Sequence, residues 1–127
     1  MKRIIPIILF ISFLFFEPGC KNVVDEIVND ILDCSIESAY LSIHVDSDTT
    51  NSKLVYFEFV NNDTEERFTL DLEVNWDFGD GVAITSNNHK TEHAYTEAGD
   101  YEVTAAYTLR KGSATCTGTK EKDITVN

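Results

Sequence analysis

Between residues 68 and 78 every second side chain is apolar. Phe68, Leu70, Leu72, Val74, Trp76 and Phe78 alternate with Thr69, Asp71, Glu73, Asn75 and Asp77. An extended backbone sends successive side chains to opposite faces, whereas a helix gathers positions three and four apart. The pattern therefore predicts one long strand with a single buried face. Gly79-Asp80-Gly81 follows, and an Asp-Gly pair is a strong hairpin signal, so residues 82–85 are expected to pair back. The same period of two appears in Leu41, Ile43 and Val45, and again in Tyr101, Val103, Ala105 and Tyr107. Residues 54–60 are mostly apolar and rich in β-formers, which reads as a central strand. Residues 93–95, 115–119 and 123–126 read as short strands, with polar turns between the segments. Six to eight strands with close turns and no βαβ spacing predict an all-β fold, an antiparallel sandwich with two inner faces.

Before Cys34 the period changes. Val23, Val24, Ile27, Val28, Ile31 and Leu32 fall on one side of a helix with acids on the other. Residues 21–33 thus read as a short amphipathic helix, marginal by itself and expected to dock on the domain or space it from a membrane. Lys2 and Arg3 precede an uncharged run at 4–16, which is followed by Glu17-Pro18-Gly19-Cys20. A basic start, a short apolar run and a small residue form an export signal. The run is shorter than the roughly 18–20 residues a membrane-spanning helix needs. Gly19-Cys20 also resembles a bacterial lipoprotein processing site, in which the cysteine is lipidated, with acyl chains such as palmitate, and becomes the mature N-terminus. Glu17 and Pro18 depart from that pattern, which usually has leucine three residues before the cysteine. The expected organisation is a signal peptide at 1–19, a lipidated N-terminus and helical tether at 20–33, and the sandwich at 34–127. The expected location is the bacterial cell envelope, as an outer-membrane lipoprotein facing the periplasm or the outside, with secretion as the alternative.

The 127 residues suffice for one domain, and 43% apolar content excludes a disordered chain. With 22 acidic against 10 basic residues, the net charge of −12 makes nucleic acid and bare anionic lipid poor partners. Three cysteines, Cys20, Cys34 and Cys116, leave one over in an oxidising compartment. If Cys20 is the lipid attachment site, Cys34 and Cys116 remain as a candidate disulfide closing nearly the whole domain; the alternative is two free thiols.

Three segments in order carry a family resemblance. Trp76-Asp77-Phe78-Gly79-Asp80-Gly81, then His93-Ala94-Tyr95, then Gly99-Asp100-Tyr101-Glu102-Val103-Thr104 resemble the PKD domain. The likeness is specific over residues 70–108 and looser over 35–127. It departs at Ala105, where the family usually has a larger aliphatic residue, and in the tail after Arg110. The resemblance implies an immunoglobulin-like sandwich exposed outside the cytoplasm, used as a spacer or as a protein- or carbohydrate-contacting module, without catalysis.

The chemistry of these residues reads consistently. Trp76 and Phe78 are expected inside, where they bury large areas. Asp77 and Asp80 are expected to accept hydrogen bonds from loop N–H groups. The rival reading makes Asp77, Asp80 and Asp100 oxygen ligands for a hard cation. Tyr101, after a Gly-Asp turn, resembles a tyrosine corner. His89-Lys90-Thr91-Glu92-His93 spells an inverted zincin string, but zinc needs both histidines on one helix face and this string runs into a strand. His44 reads as a solvated strand residue. No catalytic residue, metal site or cofactor is assigned. Two functional classes remain. A module contacting envelope proteins or glycans predicts exposed aromatics gathered on one sheet face, with Tyr40, Tyr56, Tyr95 and Tyr107 as candidates. A passive spacer or assembly subunit predicts a polar, acidic surface without such a cluster.

Overall fold

The computed structural model describes residues 33–127. The expected signal peptide at 1–19, Cys20 and most of the segment expected as an amphipathic helix lie outside the described residues. Residues 33–38 are helical, so helical structure runs past Cys34, where the sequence pattern starts the sandwich. The turn ends in short i→i+3 bonds, with the Ala39 N–H donating to Ile36 O and the Tyr40 N–H to Glu37 O.

Eight strands follow: β1 (Leu41–Ser47), β2 (Leu54–Asn61), β3 (Thr69–Leu70), β4 (Val74–Asp77), β5 (Ala83–Ser86), β6 (Lys90–Ala94), β7 (Gly99–Lys111) and β8 (Ala114–Val126). They form two antiparallel sheets. One holds β1, β2 and β6 in the order β1-β2-β6. In the other, β7 pairs with β8 along its whole length and with β3 and then β4 along its other edge, and β5 lies outside β4. The alternating positions meet between the sheets. Leu41, Ile43, Val55, Phe57 and Phe59 come from the first sheet, and Val74, Trp76, Val103, Ala105, Tyr107 and Leu109 from the second.

The predicted long strand at 68–78 is interrupted. Leu70 pairs with Leu109, and Asn75 with Ala106, so five steps along one strand face three along β7. The two extra residues arch out as a bulge. An even insertion preserves the inward face, and Phe68, Leu70, Val74, Trp76 and Phe78 still point to the core or its margin. Leu72 is the casualty: expected inside, it is 64% exposed. Asp71 holds the arch on three sides. Its N–H donates to Thr108 O, its carboxylate takes Arg110 Nε at 2.7 and 2.9 Å, and its carbonyl lies 2.9 Å from His89 Nε2.

A second difference lies at the C-terminal end. Residues 115–119 and 123–126, expected as two short strands, belong to one strand, β8. It continues through Lys120, Glu121, Lys122 and Asp123 because β7 offers thirteen consecutive partners. Those charges sit on an edge strand, where they discourage pairing with another chain. The β7–β8 turn has Gly112 at φ 60°, as a two-residue loop requires. Gly118 faces Tyr107, and a Cβ there would lie 2.6 Å from the tyrosine hydroxyl, so its bareness makes room for the ring stacked on Phe59.

Cys34 and Cys116 are bonded, with Cα atoms 6.2 Å apart, and Lys111 Nζ meets Asp33 Oδ2 at 3.1 Å. The helical turn is thereby fastened to the hairpin end of the second sheet. The bridge closes a separation of 82 residues, worth about 4 kcal/mol in the chain-entropy model. Cys34→Ser with Cys116→Ser is expected to lower unfolding free energy by up to that amount, read as a shift in the urea midpoint; an unchanged midpoint would contradict a clamping role.

Candidate functional site

The hairpin after β4 is built from short carboxylates and glycines. The Phe78 N–H donates to Val82 O, the Gly79 N–H to Asp77 Oδ1 at 2.9 Å, and the Val82 N–H to Asp80 Oδ1 at 3.1 Å. Gly79 and Gly81 have φ of 80° and 91°, a region that side chains with a Cβ rarely enter. Gly79 is further constrained, because a Cβ there would run into the backbone oxygen of Glu102.

Asp80 also reaches across the sandwich edge. Its Oδ2 lies 2.6 Å from His93 Nε2, and both side chains are largely covered. The His93 ring stacks on Phe78 at 4.2 Å and meets Tyr95 edge-on at 4.6 Å. Tyr95 donates its hydroxyl to Phe78 O at 3.0 Å and packs on Tyr101. Tyr101 donates to Glu97 O at 2.8 Å, four residues upstream. Gly99 starts β7, and Val103 lies fully buried in it. The three motif segments thus converge at one end of the sandwich as an interlocked set.

The three candidate oxygen ligands have separate engagements. Asp77 binds a turn N–H, Asp80 binds His93, and Asp100 accepts from Thr125 Oγ1 at 2.7 Å. Among the described residues no group of three or more histidine, cysteine or acidic side chains is placed to hold a metal ion. The zincin string is likewise dispersed. His89 donates to Asp71 O at the bulge, His93 joins Asp80, and Lys90, Glu92 and His93 lie on β6.

Several polar contacts had no distinct signal in the sequence. Glu37 is fully buried, with Asn61 Nδ2 donating to its Oε1 at 2.9 Å and Arg67 3.7 Å from its Oε2. Asp63 accepts from the N–H groups of Glu65 and Arg67 and from Arg67 Nε. Burial pushes its pKa up, but those donors outweigh it and hold the carboxyl below its ordinary value. At the other end, Asp48 accepts from the Thr50 hydroxyl, the Thr50 and Asn51 N–H groups and the Tyr56 hydroxyl. The Thr50 hydroxyl leads in lowering the Asp48 pKa to about 2. A run of Asp, Thr and Asn between two strands signals such a turn, but not which tyrosine reaches it.

The tyrosines divide. Tyr95 and Tyr107 are buried, while Tyr40 and Tyr56 are 41% and 39% exposed. Arg67 sits over the Tyr40 ring at 5.5 Å. Tyr40 immediately precedes β1, and Tyr56 pairs with Asp46 near its far end. Six residues of strand put about 20 Å between these levels, so the two exposed rings share no patch.

Two antiparallel sheets closed over an aromatic core, with a tyrosine corner and an Asp-Gly hairpin at one end, define an immunoglobulin-like β-sandwich. The sequence profile of the PKD domain matches residues 40–126, and the chain belongs to the PKD domain family. Its fold is similar to the PKD1 domain of the Vibrio cholerae metalloprotease PrtV, at 22% identity over 68% of this chain and 94% of that one, with a TM-score of 0.50. It is also similar to the PKD1 domain of Vibrio anguillarum Epp, at 21% identity over 68% and 89% of the two chains, with a TM-score of 0.48. No curated protein matches the chain. PKD domains are extracellular, non-catalytic modules often involved in protein or carbohydrate interaction. Among the described residues no helix is long and apolar enough to cross a membrane.

Two predictions test the hairpin. Gly79→Ala combines an unfavourable φ with a backbone clash and should cost at least about 3 kcal/mol. Gly81→Ala, in open space, should cost only about 1–2 kcal/mol. Equal losses in urea unfolding would refute the close approach to Glu102.

The second concerns pH. Asp80 is pushed up by burial, but hydrogen bonds from His93 and the Val82 N–H hold its pKa below the ordinary value, and Arg110 lowers Asp71. A carboxyl whose pKa falls on folding stabilises the native state above its unfolded pKa, about 3.9. That contribution is lost as pH falls through the folded value. Stability should therefore decline below about pH 4. Asp80→Asn should weaken the protein at pH 7, and its deficit should narrow as the pH drops to 2–3. A deficit constant across this range, followed by denaturant titration, would show that the Asp80 charge contributes nothing.

Proposed function

We propose that the chain is an exported module, anchored through lipid on Cys20, that contacts another protein of the cell envelope and performs no catalysis. The supporting observation is the distribution of exposed aromatics: Tyr40 and Tyr56 stand at different levels of one sheet, and Tyr95 and Tyr107 are in the core. A stacked glycan platform uses rings gathered on one face, and this surface lacks that arrangement among the described residues. Polar and acidic sheet faces with isolated rings suit a protein partner of complementary charge. In this reading residues 1–19 are the export signal, 20–33 form the lipidated tether, and 34–127 are the sandwich domain with the helical turn that leads into it. The fastening of Cys34 to Cys116 supports the tether arrangement, since the chain then leaves the sandwich at its β7–β8 hairpin end. The motif end and the loop at 48–53 face the opposite way, away from the membrane.

Cys20→Ser should release the protein from the membrane fraction into the soluble one; retention would refute the anchor. Photo-crosslinkers placed along the sheet faces of the full chain, in intact cells, should give discrete adducts with one envelope protein. A spacer without a ligand of its own would give none.

A further inference from the structure

The outer face of the three-stranded sheet carries a cleft of about 370 Å³ centred on Tyr56. The strand register defines its floor. Tyr56 pairs with Asp46 on β1 and with Glu92 on β6, so the ring stands in a row between two acidic residues whose strands lie about 4.8 Å away on either side. In the next row Glu58 lies between His44 and Lys90, and Lys90 neutralises it at 3.4 Å. The carboxylates of Asp46 and Glu92 have no hydrogen-bond or ion-pair partner among the described residues. The Tyr56 ring is held in place, because its hydroxyl donates to Asp48 Oδ2 at 3.1 Å and Asp48 is itself fixed by Thr50 and Asn51. The aromatic face is therefore exposed and oriented before any ligand arrives, which removes an ordering cost from binding.

We propose that this cleft receives an arginine side chain from a partner protein. The idea rests on the protein-contact reading above and specifies its chemistry. An aromatic face attracts a cation, and a planar guanidinium stacks on it while its fork of N–H donors reaches a carboxylate. Ammonium is a compact, strongly hydrated point charge and makes poorer use of a ring with acids at its rim. A neutral sugar would cover the ring and leave Asp46 and Glu92 partly desolvated without compensation. An anionic ligand would be repelled by both, and by a chain of net charge −12. The volume accommodates one side chain arriving from a facing surface.

The test is an NMR titration of the labelled full chain in detergent micelles with capped Gly-Arg-Gly, its citrulline and lysine counterparts, and a neutral oligosaccharide. The arginine peptide should produce saturable shifts at Tyr56, Asp46 and Glu92. Citrulline should produce none, and lysine should bind more weakly. Asp46→Asn with Glu92→Gln should weaken arginine binding about tenfold or more, and Tyr56→Ala should abolish it. All these positions are surface-facing, and unchanged thermal melting would separate lost binding from lost folding. Absence of saturable shifts with arginine, an equal response to citrulline, or saturation by the oligosaccharide alone would overturn the proposal. In-cell crosslinking separates the two levels. A partner captured equally by the Asp46→Asn, Glu92→Gln variant leaves protein contact standing and refutes the cleft. No partner in cells, with clear arginine binding in solution, does the reverse.

Discussion

Aromatic contact between the sheets is the constraint on which the remaining structure depends. Trp76 and Phe78, from β4 and the turn after it, lie 5.8 and 5.4 Å from Phe57 on β2. Phe59 meets Trp76 edge-on at 6.3 Å and stacks on Tyr107 of β7. These four phenyl and indole rings, with the Tyr107 ring, join both sheets across their full depth, and rings of this size supply a large share of the apolar burial in a small domain. The smaller residues adapt to them. Ala105 lies opposite Trp76 on the neighbouring strand, and Gly118 lies opposite Tyr107. The alanine that departs from the family pattern thus sits beside the largest side chain in the core, where little volume is left.

The polar groups of the motif extend that aromatic layer to one end of the sandwich. His93 stacks on Phe78, Tyr95 closes over His93, and Tyr101 follows. Three of these rings direct a polar atom at a turn: His93 to Asp80, Tyr95 to Phe78 O and Tyr101 to Glu97 O. This arrangement gives the histidine, tyrosine and aspartate side chains of the motif an architectural task. Their hydrogen bonds go to the turns they shape, directly to backbone for Tyr95 and Tyr101 and through the Asp80 carboxylate for His93.

Function is therefore sought on surfaces the core does not consume. The second sheet ends in a charged edge at β8, and its broad outer face carries mainly small and acidic side chains. The first sheet is narrower and carries an oriented tyrosine between Asp46 and Glu92. A net charge of −12 attracts cationic groups to these surfaces and repels anionic ones.

The strands, their inner faces and the Asp-Gly hairpin were legible in the sequence because side-chain alternation and the demand for positive φ are local properties of the backbone. The order of Trp76-Asp77-Phe78-Gly79-Asp80-Gly81, His93-x-Tyr95 and Gly99-x-Tyr101 carried the family for the same reason. Other features were decided only when strands met. Leu72 follows the buried alternation perfectly, yet it is outside because β7 offers three positions where the chain brings five. Residues 120–122, a charged stretch between two expected strands, are strand because β7 continues beside them. Four tyrosines of similar context divided into two buried and two exposed, and Asp46, Tyr56 and Glu92 share a row despite their separation in sequence. Register between distant segments sets all of these, and no local pattern contains it.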